Sequence, residues 1–288
     1  MNLCIIRPRC IWTHGKSPPP FCHVVRIWGK RKDVMTVLDL DLDFFQDGRI
    51  TDGYCGQKDR VSAWTEDRVR EYLETNLKLS KSKKIKGRIV NKHNEAFDYW
   101  NELIHQGFLT IPFSVDHVDA HSDLGFGGSW WDVFFNTLVY TYFDKPSDFP
   151  KNEMTEGNYL CYAIAKQWLE KLNYIYNNTE KNGDGSDAFD GSDVFRLMWK
   201  DAEIGANFIQ ICKFAPALDA YDLMDADYTK ALNKRCDYGK DIPFNRYAGS
   251  QFITNSNYDF VNLAISPDFI VEDSRKNIDV IKEYMDLS

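Results

Sequence analysis

Val37-Leu38-Asp39-Leu40-Asp41-Leu42-Asp43 places a carboxylate at every second position of an apolar run. A second stretch, Asp116-His117-Val118-Asp119-Ala120-His121-Ser122-Asp123, follows Ile111, Phe113 and Val115 and sets imidazoles among the acids. Side chains alternate faces along a strand, so Asp39, Asp41 and Asp43 are expected to leave one side together. Asp119, His121 and Asp123 do the same if the backbone stays extended that far. Gathering so many carboxylates in an interior is prohibitive unless positive charge sits among them. A pair of divalent cations is the simplest source of that charge.

The rest of the chain is compatible with a folded α/β protein around these clusters. Its 288 residues exceed the usual single-domain mode, yet α/β folds of this size often form one unit. Hydrophobic residues at 43% and charged residues at 27% are ordinary for a globular protein. Eight Trp, nineteen Phe and fifteen Tyr are enough for a large core and an aromatic cleft. A formal charge of −8 disfavours nucleic-acid or anionic-membrane partners, and the clusters themselves contribute to it.

Cys4, Cys10, Cys22, Cys55, Cys161, Cys212 and Cys236 occur singly, with no Cys-x-x-Cys pair. That usage points to reduced thiols and a cytoplasmic location, not a disulfide framework or a zinc ribbon. No apolar run reaches the ~20 residues of a membrane span. The first residues, broken by Arg7, Pro8 and Arg9, lack the apolar stretch of a secretory signal.

Residues 2–6 and 21–28 read as strands around Pro18-Pro19-Pro20, an N-terminal extension (1–33) of one domain spanning 1–288. A strand follows at 34–42. Thr65 caps a helix running to about Leu79, with Val69, Leu73 and Leu77 on one stripe. Residues 80–88 read as a basic loop. A helix over 93–105 turns Phe97, Trp100 and Ile104 inward and ends at Gly107, before a strand at 109–119.

Gly125 to Trp131 is a flexible, aromatic-bearing loop. A helix at 156–170 aligns Leu160, Ile164 and Trp168, and strands follow at 172–177, 194–199, 207–213 and 259–265. Residues 177–193 form a polar surface insertion; its Gly183-Asp184-Gly185 piece resembles one calcium β-roll unit, but such units work in tandem. Strands alternating with helices predict a three-layer α/β/α domain with a largely parallel sheet.

Ligands of open α/β sheets bind beyond the carboxyl ends of the strands, where both clusters lie. Asp and His without Cys select Mn²⁺ above all, with Fe²⁺ and Zn²⁺ as competitors. Five or six ligands exceed the needs of one tetrahedral zinc. Two metals roughly 3.5–4 Å apart share carboxylates and hold a bridging hydroxide that is nucleophilic at neutral pH.

Taken singly, each residue has a plainer reading. Asp39 alone suits a turn or a helix cap, and His93 alone suits a cap or the surface. His117 shares the parity of Asp119 and suits an orienting partner of a ligand. His14, His23 and His105 have no acidic company and read as structural or exposed.

Val118-Asp119-Ala120-His121-Ser122-Asp123 resembles the Asp-Ala-His-x-Asp signature of the arginase/deacetylase (ureohydrolase) superfamily, and Asp41-Leu42-Asp43 is similar to its Asp-x-Asp signature. More closely, the run from Leu38 to Phe45, His93-Asn94-Glu95-Ala96-Phe97 with Trp100, and the run from His117 to Gly125 together resemble the peptide arginase family. Characterised members convert arginine side chains of a ribosomally made precursor peptide to ornithine. The resemblance covers about residues 34–130.

It implies an arginase-like fold and two Mn²⁺ per chain. Asp119 and Asp41 would bridge, His121 and Asp43 would hold one manganese, and Asp123 and His93 the other. The superfamily's Gly-Gly-Asp-His motif is absent at His93, and the two signatures run in reversed order. Asp39/Asp41 therefore stands as a competing register. The loop that grips free arginine is missing too, which fits a substrate embedded in a peptide. Asp268 and Glu272 are the candidate guanidinium-gripping acids, and Phe126, Trp130 and Trp131 the candidate cation–π partners. The proton-shuttling His of the superfamily is missing from 125–140; in the expected mechanism Asp123 is placed to relay a proton to the leaving amine.

The expected partner is an arginine-containing precursor peptide, and a homo-oligomer is compatible with the sequence. Rival readings are an agmatinase-like or deacetylase activity on the same scaffold, a phosphatase using Asp-x-Asp as nucleophile, and a metal-containing peptide-binding protein. In the last, Lys81, Lys83, Lys84, Lys86 and Arg88 would hold an acidic leader.

Overall fold

The first cluster rides on a strand that is buried along its whole length. This is β1 (Thr36–Asp41), and its apolar residues on both faces suit a central position in a parallel sheet. The structure is a computed structural model that describes residues 34–50, 58–124, 154–177, 208–209, 212–213, 237–238 and 242–287. The expected strands at 2–6, 21–28 and 194–199, the 125–131 loop and the insertion beyond Asn177 lie outside the described residues.

After β1 come β2 (Gln46–Asp47), β3 (Ser62–Ala63), α1 (Glu66–Thr75), β4 (Ile85–Val90), α2 (Glu95–His105), β5 (Phe113–Asp119), α3 (Tyr159–Ala165) and β6 (Leu169–Tyr176). Then follow β7 (Phe208–Ile209), β8 (Cys212–Lys213), β9 (Asp237–Tyr238), β10 (Ile242–Ala248), β11 (Phe260–Ala264), α4 (Lys276–Lys282) and β12 (Met285–Leu287). The main sheet runs β12-β4-β11-β1-β5-β6-β10-β7. Every pairing in it is parallel except that of β7 with β10.

Alternation along the strands builds two cores. Val37, Phe113, Val115 and Phe260 face α2 and α3, where Phe97, Trp100, Leu160 and Ile164 meet them. Leu38, Leu40, Val118, Val261 and Leu263 face α1 and α4, against Val69, Leu73, Val280 and Ile281. The result is the expected three-layer α/β/α architecture with a mostly parallel sheet. No helix among the described residues is long and apolar enough to cross a membrane.

Helix ends explain where the sequence reading and the structure part. Thr65 caps α1 as expected, accepting from the Arg68 amide at 3.3 Å. The helix stops at Thr75, short of Leu79. Gly107 (φ +75) ends α2: its amide bonds to Ile104 O and the Phe108 amide to Leu103 O, the two bonds of a left-handed C-terminal cap.

Gln167 (φ +56) does the same for α3 without a glycine, with bonds from Gln167 and Trp168 to Ile164 O and Ala163 O. The expected helix to residue 170 is thereby cut at Ala165. Trp168 is already bonding to Phe113 and stacks on Phe97 at 4.5 Å, and β6 starts at Leu169.

The basic stretch is not simply a loop. Its second half is β4, inserted between β11 and β12. A Cβ on Gly87 would lie 2.4 Å from Val261 O, so only glycine lets the strands approach this closely. Arg88 pairs with Glu102 at 2.7 Å and lies over Tyr99, Lys86 lies over Phe108, and Lys81 pairs with Glu283.

Candidate metal centre

In the sheet register Asp39 stands opposite His117 of β5 on one side and Asn262 of β11 on the other. The two acidic clusters are therefore neighbours, as the strand reading required. Extension ends sooner than the alternating pattern implied. β1 stops at Asp41, whose Oδ1 accepts the Asp43 amide at 2.9 Å and starts a short 3₁₀ turn, Leu42–Phe45. β5 stops at Asp119, whose Oδ1 accepts the His121 amide at 2.6 Å, and Asp123 takes a left-handed conformation (φ 49). Asp43, His121 and Asp123 thus reach the centre from turns. His93 arrives from the turn between β4 and α2.

Two buried donor groups result. In the first, His93 Nδ1 lies 2.9 Å from Asp119 Oδ2, 2.9 Å from Asp123 Oδ2 and 3.1 Å from Asp41 Oδ2. His117 Nε2 flanks it, 3.5 Å from Asp119 Oδ2 and 4.0 Å from Asp123 Oδ2. In the second, His121 Nδ1 lies 2.8 Å from Asp43 Oδ2 and 3.6 Å from Asp119 Oδ1. Asp119 is common to both and turns one carboxylate oxygen to each. His93, His117, Asp119 and Asp123, and separately Asp43, Asp119 and His121, have the spacing to hold metal ions.

The donors also fit a cation by what they leave unsatisfied. His93 Nδ1 and Asp123 Oδ2 are buried without a hydrogen-bond partner. Such atoms ordinarily carry a full desolvation penalty, and a cation between them removes it. The donor set, carboxylate and imidazole alone, suits a borderline or hard divalent ion.

Electrostatics agree. Burial, then Asp119, pushes Asp123 up to about 7. Burial, then Asp41 and Asp119, drives Asp43 well above the usual carboxylate range. Burial works the same way on Asp119, but the imidazoles of His121, His93 and His117 beside it outweigh it and hold that carboxyl well below. Burial would lower the imidazoles, yet Tyr159 with the acids around His93, and the acids around His117 and His121, raise all three. Protons here do what a divalent cation does better: they hold mutually repelling carboxylates together.

Further residues, which the sequence reading did not single out, brace the centre. Tyr159 of α3 donates to Asp39 Oδ2 at 2.5 Å, and Asn262 donates to Asp39 Oδ1. Ser266 donates to Asp41 Oδ2 at 2.5 Å, and the Phe269 ring packs 5.0 Å from His121. An asparagine inside the apolar Phe260–Ala264 strand was a readable signal; Tyr159 and Ser266 carried none. Asp268 is exposed just beyond Ser266, in the segment that follows β11. Glu272 is turned to solvent and pairs with Arg275 at 3.1 Å. Phe126, Trp130 and Trp131 lie outside the described residues.

Comparisons with protein-family models, with curated proteins and with solved structures find no match.

Proposed function

We propose that the protein is a dimanganese hydrolase that converts peptidyl-arginine to peptidyl-ornithine and urea. The observation that carries the reading is the sharing of Asp119, Oδ2 toward His93 and Oδ1 toward His121. Paired donor groups with a common carboxylate are the arrangement a two-metal hydrolase needs. The resemblance of the three motifs to peptide arginases supplies the substrate class.

His93, Asp119, Asp123 and Asp41 would hold one Mn²⁺, with His117 beside them; Asp43, His121 and Asp119 would hold the other. When bound, such a pair supplies Lewis acidity and a water ionised near neutral pH. The chain's own residues do the rest. Asp123, at the edge of the first donor group, is the candidate to carry a proton to the leaving amine. Asp268, exposed beyond the carboxyl end of β11, is the candidate partner for an incoming guanidinium. The apolar cores on both sheet faces exclude water from beneath the donors.

The test is a urea-release assay on manganese-loaded protein with arginine-containing peptides, free arginine and agmatine. The expected result is urea and an ornithine-containing peptide from peptide substrates, abolished in Asp119→Ala. Loaded protein that releases no urea from any guanidinium sinks the reading. Metal content separates the mononuclear deacetylase alternative, which needs only the first donor group.

A further inference from the structure

We propose that Asp39 is the positioning residue of the first donor group, fixing His93 as a ligand through Nδ1. This rests on the metal reading above. It concerns a residue whose place in the acidic run suits a ligand equally well.

Asp39 is fully buried and its carboxylate is saturated. Oδ1 accepts from Asn262 Nδ2 and lies 2.9 Å from His93 Nε2; Oδ2 accepts from Tyr159 OH at 2.5 Å and lies 2.9 Å from His117 Nδ1. A carboxylate offers about four lone-pair sites, so none remains for a cation. The competing register with Asp39 as ligand is therefore disfavoured by the geometry, and Asp41 and Asp43 are left as the ligating pair.

The donors around Asp39 are themselves fixed. Asn262 cannot turn its amide around without losing Trp100 Nε1, which donates to Asn262 Oδ1 at 2.9 Å. Asp39 and His117 face each other across the β1–β5 pairing. An ionised carboxylate only accepts, so the His93 nitrogen 2.9 Å from Oδ1 is the one that carries a proton. In the neutral, metal-binding imidazole that leaves the lone pair on Nδ1, the atom aimed at Asp41, Asp119 and Asp123. A ligating histidine whose other nitrogen donates to a carboxylate is both oriented and made more basic.

The experiment uses the full chain loaded with Zn²⁺, which is diamagnetic. Long-range ¹H–¹⁵N correlation spectra report which nitrogen of each histidine carries the proton. His93 is expected as the Nε2–H tautomer, with Nδ1 shifted by the metal. The opposite tautomer in wild-type protein overturns the proposal whether or not any variant folds.

In Asp39→Asn the affinity of the first group is expected to fall roughly 10–100-fold, with a changed Co²⁺ absorption spectrum, while the Asp43/His121 group keeps its metal. A folded Asp39→Asn protein with unchanged tautomer, spectrum and affinity also overturns it. If wild-type protein binds no cation at either group, the metal reading itself has failed, which is a different result.

Discussion

His93 Nδ1 and Asp123 Oδ2 face each other across 2.9 Å in the interior, and neither finds a partner in hydrogen-bond geometry. At that distance a proton or a cation must stand between them. Which of the two it is depends on pH and on metal supply, and the first predictions follow from that competition.

Removing Asp119 should empty both donor groups, whereas removing His121 should empty one. In calorimetric titrations of metal-free protein, Asp119→Ala is expected to lose both binding events and His121→Ala only that of the Asp43 group. At a metal concentration a hundredfold above Kd, wild-type protein should gain about 2.7 kcal/mol of stability for each occupied group, a gain absent in Asp119→Ala.

The stabilisation given by metal should grow with pH. His93 and His121 are raised above their ordinary 6.5, so the stability of their charged pairs is present below that value and lost as pH climbs through the raised one. Asp123, moved from 3.8 to about 7, acts in the same sense, because ionising it in the metal-free fold costs stability across that interval. Metal-free protein should therefore weaken with rising pH, while the protons competing with the cation disappear. Melting curves with and without Mn²⁺ should diverge as pH rises, first toward about 7 as Asp123 ionises and further above 6.5 as the imidazoles lose their protons. A constant difference in Tm would contradict this.

A second polar network, built around Asp116 of β5, separates folding from metal binding. Asp116 accepts from Asn173 Nδ2 at 2.6 Å and Tyr258 OH at 2.8 Å. Tyr258→Phe removes one hydrogen bond to a buried carboxylate and should cost roughly 1.5–3 kcal/mol in urea denaturation. Its metal stoichiometry should remain that of the wild type.

Gly87→Ala should be more harmful than an ordinary strand substitution, because the new methyl meets the backbone of β11 at 2.4 Å. An overpacking cost of about 1–3 kcal/mol is expected, seen as a lower urea midpoint. A neutral result would mean that β4 does not pair with β11 as described.

What the sequence disclosed was mostly local. Period-two alternation in β1 and β5 placed both clusters at neighbouring strand ends, and the apolar runs implied a parallel sheet. It did not disclose that Asp43, His121 and Asp123 leave from turns, because a turn at Asp41 or Asp119 preserves the same residue order as a strand. Gln167 in a left-handed cap has no compositional signal, so α3 was expected too long. The partners of Asp39 and Asp41 lie far away in sequence, 120 residues for Tyr159 and 225 for Ser266, where no spacing rule reaches. Gly87 and Ile89, alternating with Lys86 and Arg88, did carry a strand pattern, masked by the density of lysines.

The central claim is two cations held side by side through Asp119. Titrating metal-free protein with Mn²⁺ under electron paramagnetic resonance tests it most directly. Two equivalents bound, with the broadened spectrum of a spin-coupled pair, is the predicted result. One equivalent, or two with spectra of isolated ions, would contradict it.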